Sequence, residues 1–216
     1  MRSPDFRALP VVALAFLAAY CRTAGGSSGT QIVQPGAPGE ASRVIPVEKA
    51  IDLSQVEHTP ADVEFMQGMI GHHAQALEMT ALLPSRTSRE DMKLLGKRIE
   101  LSQADEIKMM QAWLADRGQK IPDTHAHHAH GAKLMPGMLT AEEMSRLAAA
   151  KGAEFDRLFL EFMIKHHEGA LVMVKDLFSN DGAGQESEIF AFASDVEADQ
   201  QMEIDRMGAL LKELQK

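Results

Sequence analysis

One segment of this chain is written twice, and that duplication limits the fold more than any other feature. Phe65-Met66-Gln67-Gly68-Met69-Ile70-Gly71-His72-His73-Ala74-Gln75-Ala76-Leu77-Glu78-Met79 returns ninety-four residues later as Phe159-Leu160-Glu161-Phe162-Met163-Ile164-Lys165-His166-His167-Glu168-Gly169-Ala170-Leu171-Val172-Met173. Asp62, Phe65, Met69, Ile70, His72, His73, Ala76, Leu77 and Met79 recur as Asp156, Phe159, Met163, Ile164, His166, His167, Ala170, Leu171 and Met173. A second pattern, Gln103-x-x-Glu106-Ile107-x-x-Met110, recurs as Gln200-x-x-Glu203-Ile204-x-x-Met207. The repeating unit is therefore a helical hairpin. A hairpin has one apolar face to bury, and two of them close into a four-helix bundle. The duplicated Met-x-x-His-His reads as two halves of one site, or as two sites.

The residue mix agrees with an all-α fold. Apolar residues make up 45% of the 216, which supports a core, while aromatics are only 5% and methionines number 14. Unbranched side chains lose little rotamer freedom in a helix. Thr59 and Pro60 suit a helix start, and Pro84 stops the helix that follows. Ser88 is the expected cap of a second helix ending near Gly118. Thr140 with Glu143 has capping-box spacing and opens a short helix. The repeat halves span about 60–118 and 152–215, joined by a His-rich linker over 119–139, and the folded domain covers 58–216. No strand-like run competes with this reading.

Ahead of the domain, residues 1–20 read as an export signal: Arg2 and Arg7 precede a short apolar run from Leu9 to Tyr20. The only cysteine, Cys21, follows at once and is placed for lipidation; cleavage near Ala24 is the alternative. Residues 21–57, rich in Gly, Ser, Pro and Thr, read as a flexible tether. The expected location is outside the cytoplasm, either periplasmic or anchored to the outer membrane or cell envelope as a lipoprotein. The membrane is then met only through the lipid anchor. A net charge of −9 argues against nucleic acid as a partner.

On a helical wheel Asp62, Phe65, Met66, Met69, His72, His73, Ala76 and Met79 fall within roughly 140°. The stripe that must face the core thus also carries imidazoles and thioethers. Methionine at this spacing is ordinary core filling, and a single core histidine is satisfied by a carbonyl or a carboxylate. Asp62, Asp156, Glu106 and Glu203 could supply such partners. Four imidazoles in one small core, however, are costly to bury without a compensating use. No histidine has Glu three residues before it, the spacing of di-iron bundles; Met69 and Met163 hold that place for His72 and His166. Thioether suits Cu(I) and Ag(I), and imidazole also accepts Cu(II). His125, His127, His128 and His130 form a second, weaker candidate metal tract. There is no phosphate-binding Gly-rich loop, no Cys-x-x-Cys-His and no His-Glu-x-x-His.

The duplicated Asp-x-x-Phe-x-x-x-Met-x-x-His-His-x-x-Ala-x-x-Met, with its Gln-x-x-Glu-Ile-x-x-Met partner, resembles the bacterial domain of unknown function 305 family over about Pro60 to Leu211. The resemblance implies a ferritin-like four-helix bundle of two hairpins, usually exported, some of whose members bind copper or silver. It carries over to Met69, His72, His73, Met79, Met163, His166, His167 and Met173, with Met110 and Met207 as supports. Leu160 breaks the symmetry at Met66 and sets Met66 apart. The expected function is copper binding, with Cu(I) favoured and silver admitted, for buffering, trafficking or resistance. A periplasmic metal donor or acceptor is the natural protein partner. A metal-dependent oxidase and a non-metal interaction module are the alternatives.

Overall fold

Thr59 begins the bundle with a reciprocal cap. Its side chain accepts from the Asp62 backbone N–H while Asp62 Oδ2 accepts from the Thr59 N–H, and Pro60 fills the first turn. The computed structural model describes residues 32–34, 41–47, 56–124 and 134–215. The chain divides into two units, Met1–Asp52 and Leu53–Lys216. In the first, β1 (Ile32–Gln34) pairs antiparallel with β2 (Arg43–Ile45), with Val33 opposite Val44. The sequence reading expected no strand in this stretch. β-Branched residues in both short runs favour the pleated backbone, and three residues are too few to give a periodic signal.

The second unit is helical: α1 (Pro60–Thr80), a single turn α2 (Leu83–Arg86), α3 (Glu90–Asp116), α4 (Ala141–Ala149), α5 (Gly152–Phe178) and α6 (Ser187–Leu214). Pro84 falls inside α2, and α1 has already ended at Thr80. Ser88 is not the cap of α3; Arg89 holds that place, with its N–H donated to Thr87 Oγ1. The Thr140–Glu143 capping box opens α4 as expected. Glu186 caps α6 through the Ile189 N–H. Between α5 and α6, Gly182 and Gly184 take φ of 77° and 68°, a region that glycine enters without strain. The Gly184 N–H donates to Asp62 Oδ1 at 2.7 Å, which ties this turn to the start of α1.

α1 packs on α3, α5 packs on α6, and the hairpins meet through α1 and α5. This is the all-α bundle of two repeated hairpins expected from the repeat. The apolar core falls into two clusters. One gathers Met66, Met69 and Ile70 of α1, Met110 and Trp113 of α3, Ala170 and Val174 of α5, and Phe192 of α6. The other gathers Ala76 and Met79 of α1, Leu95 and Ile99 of α3, Phe159 and Met163 of α5, and Met207 of α6. Early α1 thus meets late α5, and late α1 meets early α5, so the two helices run antiparallel. Burying one such side chain is worth about 1.5–3 kcal/mol. A layer of buried polar residues separates the clusters: His72, His73, His166, His167, Gln103, Gln200 and Glu203.

The end of the His-rich linker is not a free loop. Leu134 to Thr140 lies as a strap across α1 and α5, with Met138 and Leu139 buried. Gln75 holds it by two bonds, Leu139 N–H to Oε1 at 2.7 Å and Nε2–H to Leu139 O at 2.9 Å. Gly137 (φ 73°) and Gly169 let the two backbones touch. A Cβ on Gly169 would sit 2.1 Å from Pro136 O. Gly169→Ala should therefore destabilise by about 1–3 kcal/mol through overpacking. Gly208→Ala, on α6 with nothing within 4 Å, should stabilise by about 0.5–1 kcal/mol. Urea denaturation of the two variants checks this; equal midpoints would contradict it.

Candidate metal centre

The four core histidines are set in two different ways. His72 of α1 and His166 of α5 meet across the hairpin interface, ring centroids 3.8 Å apart and planes tilted 36°. His73 and His167 instead turn toward the second helix of their own hairpins. His73 Nε2 donates to Glu106 Oε2 of α3 at 2.5 Å, and His167 Nε2 to Glu203 Oε2 of α6 at 2.7 Å. Of the four carboxylates that the sequence offered as partners, Asp62, Asp156, Glu106 and Glu203, the two glutamates take this place. Ser102 adds a hydrogen bond to the other oxygen of Glu106.

These bonds fix tautomers. A carbonyl or an ionised carboxylate only accepts, so the bonded nitrogen carries the proton. His72 Nε2 donates to Pro136 O of the strap at 3.0 Å, and His73 and His167 donate from Nε2 to their glutamates. Each of these rings then presents Nδ1 as its lone-pair nitrogen. Among the described residues, Nδ1 of His73 and His167 and both nitrogens of His166 are buried with no hydrogen-bond partner. A ring N–H given to a carboxylate or carbonyl, with the other nitrogen left bare, is the usual setting of a metal-ligating histidine.

Burial and the neighbouring His72, His167 and His73 push the His166 imidazolium well below its usual range, so that ring is neutral at pH 7. Burial raises the Glu106 carboxyl, but the hydrogen bond and charge of His73, with Ser102 and His167, outweigh it and hold Glu106 below the usual carboxylate range. Asp199, which the sequence reading did not single out, is pushed up by burial and by the charges of Glu106 and Glu203. It lies one turn before Glu203, and only tertiary structure brings it near Glu106.

The thioethers flank this layer on both sides. Met69 and Met110 belong to the first core cluster, with Met173 packed against it. Met79, Met163 and Met207 belong to the second. The repeated methionines are therefore sorted crosswise: Met69 of one half shares a cluster with Met173 of the other, and Met163 with Met79. Met66 is buried but lines a separate cleft of about 370 Å³ between α3 and α6, beside Trp113 and Phe192. Asp62 has both oxygens engaged by Thr59 and Gly184, about 15 Å along the helix from His72. Asp156 is buried with Oδ1 unpartnered. No three His, Cys, Asp or Glu side chains converge as a ready metal-holding group among the described residues. Thioether sulfur stands outside that donor set, and it is the donor the sequence repeats. His125, His127, His128, His130 and Cys21 lie outside the described residues.

A duplicated helical hairpin with a His/Met layer at its centre defines the class of protein. The family model for Domain of unknown function (DUF305) matches residues 62–211. The chain belongs to that family. It is similar to a DUF305 protein of Streptomyces coelicolor described as a candidate secreted protein, at 30% identity and TM-score 0.61, covering 71% of this chain and 93% of that one. A DUF305 fragment from Deinococcus radiodurans is 30% identical with TM-score 0.62, covering 72% and 98%. CopM in its Cu(II)-bound form is 25% identical with TM-score 0.58, covering 70% and 96%; CopM also has Cu(I)-bound and Ag-bound structures. No functionally curated protein matches.

The depressed His166 sets a pH dependence. Because its folded pKa lies below the unfolded value of 6.5, the unfolded chain takes up the proton first as pH falls. Its effect on stability is absent above that value and destabilising below it, with a slope approaching about 1.4 kcal/mol per pH unit until the folded pKa is reached. Glu106, with a lowered carboxyl, loses its contribution at still lower pH. His166→Leu should flatten the upper part of the profile in urea denaturation between pH 7 and 5. Parallel profiles for wild type and variant would contradict the assignment.

Proposed function

We propose that this chain is an exported protein whose bundle holds a soft metal ion, Cu(I) foremost and Ag(I) by the same chemistry, for buffering or hand-over. The observation that carries the reading is the set of buried, unpartnered imidazole nitrogens lying between two clusters of thioethers. Met69, His72, His73, Met79, Met163, His166, His167 and Met173 are the proposed ligand pool, with Met110 and Met207 in support. Bound there, the ion would be stabilised by soft S and N donors rather than by hard carboxylates.

Each residue has a task that its present geometry supports. Glu106 and Glu203 hold the Nε2 protons of His73 and His167 and so keep Nδ1 bare. Pro136 O holds the Nε2 proton of His72. The apolar clusters bury the layer and hold the His166 ring neutral, the state in which imidazole ligates. Likeness to CopM, whose Cu(I), Cu(II) and Ag forms are known, supports a metal of this group. The N-terminal run before Cys21 and the description of the Streptomyces relative support export, with lipidation at Cys21 as part of the proposal. The His125–His130 tract is proposed as a weaker capture site, and a periplasmic donor or acceptor as the protein partner. An oxidase would draw on Glu106 and Glu203 and would consume dioxygen when metal-loaded.

His72→Ala combined with His166→Ala should lose tight Cu(I) uptake in competition with a Cu(I) chelator. Glu203→Gln, which leaves every ligand atom in place, should weaken uptake by about 10–100-fold. Undiminished competition by the double variant would contradict the proposed site.

A further inference from the structure

The two halves of the repeat differ most where the strap crosses them. Gly68 stands where the second half has Phe162, Gly71 where it has Lys165, and Gln75 where it has Gly169. Five of these six residues lie against the strap, Lys165 through its backbone oxygen beside Gly137. Gln75 bonds Leu139, Gly169 touches Pro136, and Gly68 and Gly71 lie beneath Met135. Two glycines inside a helix cost about 0.8–1 kcal/mol each against alanine. The bundle itself does not require them, since the second half runs as a helix through Phe162 and Lys165.

What the glycines leave room for is sulfur. A Cβ on Gly68 would lie 3.2 Å from Met135 Sδ and 3.4 Å from Met173 Cε, so two methionine side chains from different elements converge on one point. A Cβ on Gly71 would lie 3.6 Å from Met135 Cε. Met135 and Met173 are both only half-buried. Met173 and Pro136 also line a surface cleft of about 220 Å³, with Phe65 at its base and the exposed carboxylates of Glu64 and Asp176 beside it. His72 lies one helical turn beyond Gly68, held by the carbonyl of the residue next to Met135.

We infer that Met135 is a soft-metal ligand, acting with Met173 over Gly68, and that Gly68 is kept small to let the two thioethers meet. This rests on the proposed soft-metal reading and adds to it a residue outside the repeat. Apolar packing alone would not need sulfur here; in the second half carbon from Phe162 occupies the matching position. Two thioethers with an imidazole a turn away form a neutral, soft donor set that a Cu(I) or Ag(I) ion accepts and a hard cation does not. The site is one-sided, because nothing equivalent to Gly68 exists in the second half.

The test is Ag(I) titration of the full chain, followed by ¹³C-methyl methionine resonances, in wild type and Met135→Leu. The expected result is that the Met135 and Met173 methyl signals move together in wild type. Met135→Leu should weaken Ag(I) binding about tenfold or more without lowering the metal-free melting temperature. Gly68→Ala, which inserts a carbon between the two thioethers, should weaken it likewise. Ag(I) uptake with an unmoved Met135 methyl and an unchanged affinity in Met135→Leu overturns this assignment alone. Absence of any Ag(I) or Cu(I) uptake by wild type overturns the soft-metal reading and this assignment with it.

Discussion

Four buried imidazoles held between two apolar clusters set the terms for the rest of the bundle. Each buried nitrogen must be bonded or left bare, and a bare buried polar group costs on the order of 1–3 kcal/mol. Glu106 and Glu203 take one nitrogen each from His73 and His167, which obliges α3 and α6 to present a carboxylate at the same height as the histidine layer. The strap takes another, through Pro136 O. His166 keeps both of its nitrogens unpartnered among the described residues, and its protonation is strongly disfavoured. A layer left incomplete in this way is poor design for stability alone. It is the arrangement expected where an incoming ion completes the coordination.

Much of this was legible in the sequence, for a specific reason. A repeat that covers both helices of a hairpin states the helix pairing and the antiparallel closure together. The sequence offered Asp62, Asp156, Glu106 and Glu203 as partners for the core histidines, and the two recurring glutamates are the ones that reach His73 and His167. The proposal of soft rather than hard chemistry rests on Met69 and Met163 standing where di-iron bundles carry glutamate.

What was hidden depended on tertiary contact. Leu134 to Thr140 has no periodicity, so nothing in it announces that it is pinned by Gln75 and Gly169. Gly68 and Gly71 look like weak spots in a helix until Met135 is seen above them. Asp62 recurs with the His-His motif, yet its oxygens serve Thr59 and Gly184; it completes the capping box of Thr59, and its link to Gly184 spans 122 residues. Asp199 is an ordinary surface acid by sequence, one turn from Glu203, and meets Glu106 only when α3 and α6 come together. The repeat describes what the two hairpins share, and the strap marks where they part.

X-ray absorption at the copper edge of Cu(I)-loaded protein tests the central claim most directly. The account predicts sulfur and nitrogen scatterers together around the ion, with the sulfur shell lost when the repeated methionines Met69, Met79, Met163 and Met173 are replaced by leucine. A shell of nitrogen and oxygen alone in the wild type, unchanged by those replacements, would contradict it and move the metal away from the duplicated core.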